Sequence, residues 1–396
     1  MTLAAVIESP SDARADAHAS RIARVDLLHD LREAEAVWRG LERSGLFTPY
    51  QRFDLQAAWQ DHIGVAEGQQ PFIVIAYDAN DQPLLLMPLL VRQQGFVRIA
   101  EFFGGKHITF NMPLWQRDFA AGASRADMHA LLAGIRRHPG KVDVLMLARQ
   151  PTHWAGIANP MALLPHQGSV NACPVLTMVA GAPTTDYVST SFRRRLKSKE
   201  KKFLPLPGYR YGIATTDAGI ARVLDAFFTV KPVRMAEQKL PNVFAEPGVE
   251  DFIRTACLTP LESGGHAIDI HALECDDEVI AMFAGVADAG RFSMMFNTYT
   301  LSGNAKYSPG LILMRNIIDF YAARGVTSLD LGIGSDDYKR LFCKDDEPIF
   351  DSFIPLTARG QLAARCLSWL TGAKRLVKHT PALMQLAQKL RRLRAR

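Results

Sequence analysis

The sequence contains few cysteines, and none of them forms a CxxC pair. Five occur among 396 residues: Cys173, Cys257, Cys275, Cys343 and Cys366. An odd number without that spacing argues against a disulfide scaffold and against a structural zinc site, and it fits a reducing compartment. We therefore predict no metal site.

Long apolar runs are also absent. The longest, Pro83–Val91 and Leu311–Ile318, are far shorter than the roughly 20 residues that span a membrane. The first 20 residues carry acidic side chains and no apolar run, so they do not resemble a signal peptide, and we expect them to be disordered. These absences predict a cytoplasmic protein, and the basic tail described below allows a position at the inner face of the membrane.

Positive charge is concentrated in two segments. The net charge is +6, but Ser191–Lys202 has seven basic residues and one acid, and Gln361–Arg396 has nine basic residues and no acid. The remainder has 30 basic and 39 acidic residues. A nucleic-acid-binding surface spread over the whole body is therefore not expected. The hydrophobic fraction of 48% is sufficient for a folded core.

The hydrophobic periodicity predicts the element order β-α-α-β-β-β-α-β in each half of the chain. In the second half this order includes helices at Ala218–Thr229 and Val249–Leu258 and a strand at Val279–Ala287. After this unit the pattern predicts a helix at His153–Leu164 and a strand at Pro174–Val179 in the first half, and a strand at Ser352–Leu356 in the second. No residue-level repeat is visible, so the duplication is architectural. The predicted fold is α/β (α+β), with domains at residues 21–182 and 183–358, a linker near Gly181–Asp186 and a basic helical tail at 359–396.

One segment has the features of a helix start that binds an anion. Within Tyr299–Arg315, Ser308 suits the N-cap and Pro309 suits the first helical position. No acidic residue lies between Ser308 and Ile318, so nothing in the helix neutralises its positive end. The pattern indicates either a phosphate-binding helix N-terminus or simple capping.

A second segment, Leu329–Arg340, places acidic and aromatic residues at the end of a strand. A dinucleotide fingerprint would need a glycine at Asp337, and the Walker pattern is absent, so neither nucleotide motif applies. Asp330, Asp337 and Tyr338 offer carboxylates and a phenol near one another. The alternative is that Asp330 and Asp336 only cap the turns that follow them.

Other chemistries find less support. His266 and His271 would face opposite sides of a strand and cannot share a metal, no GxSxG elbow occurs, and no cysteine has a convincing histidine partner. The basic helix at Tyr187–Phe203 is either a solvated face, a phosphate-binding surface or a nucleic-acid contact. It lacks the interleaved aromatics of a single-strand-binding surface.

Several motifs resemble a known family, the GNAT-like acetyltransferases of the cellulose-biosynthesis CelD type. The motifs that carry the resemblance are Tyr307-Ser308-Pro309-Gly310-Leu311, then Leu329-Asp330-Leu331-Gly332 and Asp337-Tyr338-Lys339, the SFRRRL helix at Ser191–Leu196, and, more loosely, Phe47-Thr48-Pro49-Tyr50, Trp59 and Met87-Pro88-Leu89. The resemblance spans roughly Leu41 to Leu356. Related proteins include the FemAB peptidyltransferases, which also have two GNAT-like halves.

The resemblance implies tandem GNAT-like (acyl-CoA N-acyltransferase) domains, each a mixed, mostly antiparallel sheet flanked by helices. It also implies acyl-CoA, with acetyl-CoA expected, bound by the C-terminal domain without a metal. The donor contacts that it implies are Asn297, Thr298, Tyr299, Ser308, Pro309, Gly310, Leu311 and Lys339. The chain has Tyr-Ser-Pro-Gly in place of the usual R/Q-x-x-G-x-G/A loop, which leaves aminoacyl-tRNA as an alternative donor.

The expected reaction is acyl transfer to an amine or hydroxyl of a small-molecule or saccharide acceptor, in extracellular polysaccharide or cellulose synthesis. Acyl transfer needs a base, oxyanion stabilisation and a proton for the leaving thiolate. Asp330 or Asp337 is the candidate base, and Tyr338 or Tyr307 the candidate acid. Backbone N–H groups near Asn297–Tyr299 are candidates for polarising the carbonyl.

Two other functions remain open. A FemAB-like aminoacyltransferase would bind tRNA through Arg193–Lys202, and otherwise nucleic acid is not expected. A non-enzymatic component of a polysaccharide-synthesis assembly would keep the fold without the donor. In the tail, apolar residues recur every three or four positions among basic ones at Leu383, Leu386, Leu390 and Leu393. This face either packs on the body or attaches peripherally to an anionic membrane.

Overall fold

The computed structural model describes residues 19–138, 142–179, 187–334 and 336–380. The predicted linker at 181–186, nearly all of the predicted disordered segment and the tail beyond residue 380 lie outside the described residues. Within these ranges, no helix combines the length and apolarity needed to cross a membrane.

The first sheet has the strand order β1-β2-β3-β4-β6-β17-β9, with β5 paired to β3. β4 and β6 are parallel, and the other neighbours are antiparallel. Its strands are β1 (Arg24–Leu28), β2 (Gln70–Tyr77), β3 (Pro83–Gln94), β4 (Val97–Phe102), β5 (Leu114–Trp115), β6 (Val144–Pro151), β9 (Gln167–Gly168) and β17 (Ile349–Pro355). A separate hairpin joins β7 (His153–Trp154) and β8 (Ile157–Ala158).

The second sheet has the order β11-β12-β13-β14-β15-β10-β16. Here β14 and β15 are parallel, and the other neighbours are antiparallel. Its strands are β10 (Cys173–Thr177), β11 (Arg210–Ile213), β12 (Asp269–Glu274), β13 (Val279–Ala287), β14 (Arg291–Tyr299), β15 (Ser328–Asp330) and β16 (Asp345–Glu347).

Helices flank both sheets. The α-helices are α1 (Leu31–Ser44), α2 (Phe53–Trp59), α3 (Arg117–Ala121), α4 (Arg125–Arg137), α5 (Thr190–Glu200), α6 (Asp217–Glu237), α7 (Val249–Leu258), α8 (Pro309–Ala322) and α9 (Ala358–His379). A π-helical turn at Gln60–Gly64 continues α2, and 3-10 turns occupy Pro49–Gln51, Gly105–His107, Pro160–Leu163, Val243–Ala245, Gly303–Tyr307 and Lys339–Leu341.

The predicted architectural duplication is confirmed. The first sheet is built by β1-α1-α2-β2-β3-β4-α4-β6, and the second by β11-α6-α7-β12-β13-β14-α8-β15, with the small elements β5 and α3 added in the first. In both halves an antiparallel meander is followed by a helix and then by a strand parallel to the last meander strand. The fold is a mixed α/β arrangement of two GNAT-like halves.

The last strand of each half lies in the sheet of the other half. The sequence places β10 in the predicted domain 21–182, but β10 pairs with β15 and β16 of the second sheet. It places β17 in the predicted domain 183–358, but β17 pairs with β6 and β9 of the first sheet. The sheets therefore do not divide at residue 182. The strand exchange ties the halves together, because neither sheet is complete without a strand from the other half.

The helix predicted at His153–Leu164 is wrong. The β7–β8 hairpin and the 3-10 turn Pro160–Leu163 occupy this range. Ala155 and Gly156 both have positive φ, 46° and 78°, which a helix does not permit. The tight turn that they form breaks the apolar periodicity that suggested a helix.

Side chains of the two halves also meet in the interior. The buried Arg291 guanidinium, from β14, lies over the rings of Phe110 and Trp154 in the first half, 4.7 and 4.9 Å from their centroids. Arg52 donates 2.7 Å to the carbonyl of Ala287 at the end of β13. A continuous apolar core crosses between the halves along this line.

Candidate functional site

The second sheet opens into a wedge beyond its parallel pair. β14 and β15 are paired only from Arg291–Ser293 to Ser328–Asp330, after which the chains diverge. Gly332 has φ +72° at the apex, and a Cβ there would lie 3.2 Å from the carbonyl oxygen of Met294. Glycine is therefore favoured at the wedge apex, because it adopts positive φ without strain and because it has no Cβ to crowd the Met294 carbonyl.

The free edge of β14 faces this wedge. Thr300 N–H donates 2.9 Å to the Ile280 carbonyl, so residues 300 and 280 form a hydrogen-bonded antiparallel pair. Since such pairs alternate along the ladder, Asn297 and Tyr299 point their backbone groups away from β13 and into the wedge. The Asn297 carbonyl indeed accepts from Lys231 Nζ at 2.9 Å, outside the sheet. An extended ligand with amide groups could pair with this edge as an added strand.

A cavity of about 850 Å³ fills the wedge and reaches the first half. From the second half, its walls come from the end of α6, the Val243–Ala245 turn, α7, β13, β14, the start of α8 and the chain after β15. From the first half, they come from residues 106–109 and Arg149. All eight predicted donor contacts line it: Asn297, Thr298, Tyr299, Ser308, Pro309, Gly310, Leu311 and Lys339.

The start of α8 is uncapped by its own side chains. Ser308 occupies the N-cap position as predicted, but its side chain makes no capping hydrogen bond, and its φ of 59° is left-handed. Its Oγ instead lies 2.7 Å from Lys199 Nζ of α5, which donates to it. The first turn contains no acidic residue. The positive end of the helix dipole therefore lies at one wall of the cavity, and the ammonium group of Lys199 lies behind that wall, bound to Ser308.

The equivalent helix start in the first half is neutralised. At α4, Ser124 and Asp127 form a capping box, and the Asp127 carboxylate also binds Arg21. Asp127 is 1% exposed. The Asp127 carboxylate already neutralises this helix end, so of the two halves it is the second that combines a wedge with a helix start open to an anion.

Tyr338 is held as a neutral phenol in the cavity wall. Burial raises its pKa to about 12. Asn297 Nδ2 donates to its Oη at 3.3 Å, so the phenol's own proton remains available to a third group. Of the two tyrosines predicted as acids, Tyr338 alone lines the cavity. Tyr307 packs edge-on against Phe203, 5.7 Å between centroids, outside the cavity wall.

Two lysines donate hydrogen bonds to backbone carbonyls in the same cavity wall. Burial lowers the pKa of Lys231, which sits on α6 one residue before Pro232. Lys339 is 4% exposed and donates 3.1 Å to the carbonyls of both Gly332 and Ile333. Lys339 therefore shapes the loop that follows the wedge apex, whereas Lys231 secures the edge of β14.

The histidine at the cavity was not identified from the sequence. His107 lies in the Gly105–His107 turn of the first half, and burial, with Lys106 nearby, lowers its pKa to about 4. It is therefore a neutral imidazole at neutral pH. Arg149, at the positive φ of 59°, holds this turn by donating to the carbonyls of Ile108, at 2.6 Å, and Gly105. A left-handed arginine beside an isolated histidine has no signature in the sequence pattern.

Asp330 does not reach the cavity. It is fully buried, and its carboxylate accepts from Arg291 Nε at 2.9 Å, Ser293 Oγ at 2.5 Å and the Gly332 N–H at 3.0 Å. Arg291 also pairs with Glu347 at 2.6 Å. This network joins β14, β15 and β16 at the wedge apex, so the role of Asp330 is to hold the wedge rather than to move a proton.

Replacing Asp330 with asparagine is expected to lower the free energy of unfolding by about 3 kcal/mol, because it breaks a buried ion pair. The loss should be near the low end for such a pair, because Glu347 still faces Arg291. Asp337 is exposed and outside the cavity wall. Asp337→Asn, the control, should change stability by less than about 0.5 kcal/mol. Urea unfolding measures both, and equal midpoints for the two variants would contradict the structural role of Asp330.

The basic helix is partly committed to the fold. Arg193 is 8% exposed and pairs with Asp319 of α8 at 2.8 Å, and Lys199 reaches Ser308 as described. Arg194, Arg195 and Lys197 are exposed. The helix therefore fixes the start of α8 with one side and leaves a basic face to solvent. Within the residues that the structure describes, no cluster of His, Cys, Asp and Glu could hold a metal ion.

Known proteins share this fold. Residues 190–340 match the family model described as an acetyltransferase (GNAT) domain. FemX superposes on 86% of this chain and 100% of its own, with a TM-score of 0.54 and 8% identity. The C-terminal domain (DUF2156) of a putative lysylphosphatidylglycerol synthetase from Agrobacterium fabrum covers 87% and 96%, with a TM-score of 0.50 and 10% identity.

A conserved protein of unknown function from Bacteroides thetaiotaomicron covers 83% of this chain and 99% of its own, with a TM-score of 0.51 and 13% identity. No curated protein matches the sequence. At these identities the structural likeness concerns the fold, and it extends over both halves. The second half, which contains the wedge and the open helix start, has the GNAT fold and includes the residues that match the acetyltransferase domain model.

Proposed function

We propose that this protein is an N- or O-acyltransferase that moves an acyl group from acyl-CoA to an amine or hydroxyl acceptor. The observation that carries the proposal is the cavity between the free edge of β14 and the uncapped start of α8, inside the domain that matches the acetyltransferase family. Acyl-CoA supplies an activated thioester, a long amide-containing arm and a phosphorylated end.

The residues present fit such a donor at both ends. Gly310 N–H at the helix start and the ammonium of Lys199 suit the pyrophosphate, and the edge of β14 suits the amide arm. Thr298, between the two residues whose backbone faces the wedge, also lines the cavity.

The first half is unsuited to a donor of its own. Beyond its parallel pair, the gap between β4 and β6 is filled on the side of β6, the counterpart of β15, since the Asn111 N–H donates 3.0 Å to the Arg149 carbonyl and Asn111 Nδ2 donates 3.1 Å to the Ala148 carbonyl. Its helix start is closed by the Ser124–Asp127 capping box. We therefore assign the donor to the second half and the acceptor to the side of the cavity formed by the first.

In this arrangement His107 replaces Asp330 and Asp337 as the candidate base. It enters the cavity from the acceptor side, and its neutral imidazole can take a proton from the attacking amine or hydroxyl. Tyr338 stays protonated and can donate to the leaving thiolate, since Asn297 binds its oxygen as a donor. Backbone N–H groups of Asn297 and Tyr299 face the wedge and can polarise the carbonyl.

The acceptor class is proposed from the resemblance to the CelD-type acetyltransferases. Their motifs at Tyr307–Leu311, Leu329–Gly332 and Asp337–Lys339 all lie on or beside the cavity wall. We accordingly propose a saccharide amine or hydroxyl, in extracellular polysaccharide or cellulose synthesis, as the acceptor.

Aminoacyl transfer from tRNA is the second candidate. The exposed face of α5, with Arg194, Arg195 and Lys197, lies on the helix that contacts the start of α8, and a phosphate backbone would suit it. At 8% identity, the likeness to FemX shows a shared fold and no more.

Calorimetric titration with acetyl-CoA, longer acyl-CoAs and bulk tRNA separates the candidates. Saturable heat with an acyl-CoA, together with acetyl-CoA turnover in the presence of amino sugars, is the expected result. Strongly salt-dependent tRNA binding without acyl-CoA binding would favour aminoacyl transfer. No heat with any donor would favour a non-enzymatic component of a polysaccharide-synthesis assembly.

A further inference from the structure

The long helix α9 carries an apolar face that points into solvent. Leu362, Trp369 and Leu376 are 70%, 72% and 62% exposed. Their spacing of seven residues places them on one side of the helix, and Cys366 and Ala373 fall between them on the same side. Exposed apolar side chains that line up along two helical turns or more mark an interaction surface.

The opposite side of α9 is fixed to the body. Ala364 is buried, Ser368 Oγ donates 2.8 Å to Gln167 Oε1, and Gln167 Nε2 donates 3.2 Å to the Ser368 carbonyl. Gly360 lies so close to Asp143 that a Cβ would meet its carbonyl oxygen at 1.8 Å. Because these contacts set the rotation of the helix, the apolar face cannot turn inward.

The charge around this face has one sign. Arg365 and Lys374 are exposed on either side of it, and Arg359 and Lys378 lie near the two ends of the helix. No acidic residue occurs from Arg359 to the end of the sequence, and residues 381–396 add five basic residues. An anionic surface complements this pattern, whereas a second copy of the helix would bring like charges together.

We propose that the apolar face of α9, defined by Leu362, Cys366, Trp369, Ala373 and Leu376, docks in the plane of an anionic membrane surface. The apolar side chains would enter the boundary between headgroups and acyl chains, where tryptophan is favoured, and the flanking cations would meet anionic lipid headgroups. The cavity and its chemistry take no part in this, so the proposal stands independently of the proposed function.

Trp369 provides an intrinsic reporter. Of the five tryptophans, Trp38, Trp59, Trp115 and Trp154 are buried, so Trp369 is the one in contact with solvent. Full-length protein should co-sediment with vesicles containing phosphatidylglycerol at low salt, with a blue shift of tryptophan emission and protection from acrylamide quenching. Binding should weaken with added salt and be far weaker on pure phosphatidylcholine vesicles.

Replacing Leu362, Trp369 and Leu376 together with glutamate should weaken vesicle binding by about tenfold or more. The control is Phe96→Glu, which places the same charge on a 90% exposed aromatic in the β3–β4 turn and should leave binding unchanged. Trp369→Phe should retain binding and lose the spectral shift. Unchanged circular dichroism checks that each variant is folded.

Three results would overturn the proposal. The first is no binding to anionic vesicles at low salt. The second is binding that the triple variant retains in full or that leaves Trp369 emission unchanged, which would assign attachment to the basic residues alone. The third is a dimer, seen by light scattering without lipid, that the triple variant abolishes, which would make a second copy the occupant of this face.

Discussion

Replacing Gly310 with glutamate is expected to abolish acyl-CoA binding while leaving the fold intact. Gly310 supplies the first free N–H of α8, since Pro309 has none and the Ser308 N–H donates to the Ala305 carbonyl at 3.1 Å. A carboxylate there would occupy the place of a phosphate and repel it. It would not strain the chain, because a Cβ at Gly310 would meet only Phe283 and Tyr299, at 3.9 and 4.0 Å. An acidic residue in a first helical turn is otherwise stabilising.

Two controls separate charge from size at this position. Gly310→Ala should bind acyl-CoA nearly as well as the wild type, and Gly310→Gln should show the loss due to bulk alone. Calorimetric titration with acetyl-CoA gives the affinities, and circular dichroism verifies folding. Wild-type affinity in Gly310→Glu would show that the donor phosphates lie elsewhere.

Replacing His107 with glutamine is expected to lower kcat/KM by about 10²- to 10⁴-fold, the usual contribution of a positioned base. Acyl-CoA binding should be nearly unchanged, because His107 lies on the side of the cavity that we propose for the acceptor. Burial lowers the pKa of His107 to about 4, so it is neutral, and able to accept a proton, at every pH above that value. Its protonation should therefore reduce kcat/KM only as the pH falls toward 4, and not around 6.5.

The matched control is His129→Gln, on the exposed face of α4 and away from the cavity. Thiol release from acetyl-CoA, measured with the amine or amino sugar that product analysis identifies, gives kcat and KM for each variant. If His107→Gln turns over normally, the base lies elsewhere. If turnover and acyl-CoA affinity fall together in this variant, His107 positions the donor.

The element order could be read from the sequence because it depends on local periodicity. The strand Val279–Ala287 and the helix Val249–Leu258 begin and end as predicted. The helix at His153–Leu164 failed because Ala155 and Gly156 adopt positive φ in a tight turn, and this outweighs the apolar spacing. The helix predicted to end at Thr229 runs on to Glu237 past Pro232, which brings Lys231 to the cavity.

Strand partners could not be read in the same way. β10 and β17 are short apolar strands whose patterns suit either sheet, and chain order alone assigns them to their own halves. In the structure each pairs in the other half's sheet, as β10 does with β15 and β17 with β6. Pairing of this kind depends on which edge is free once both sheets have formed, and that is a property of the whole molecule.

The side of the cavity that we propose for the donor is specified by local sequence. Ser308, Pro309 and Gly310, with no acid after them, specify an open helix start from a few neighbouring residues, and all the predicted donor contacts line one cavity. Even here, a tertiary contact changes the capping of the helix, since the Ser308 hydroxyl accepts a hydrogen bond from Lys199 instead of capping its own helix.

Which titratable groups reach the cavity was decided only by the tertiary structure. The sequence singled out Asp330 as a candidate base and passed over His107, and what separates the two residues in the structure is their burial and their partners. Asp330 is enclosed with Arg291 and Ser293, whereas His107 is brought from the other half into the wall of the cavity. A titratable group acquires its role from desolvation and from neighbours distant in sequence, and these exist only once the two halves have packed together.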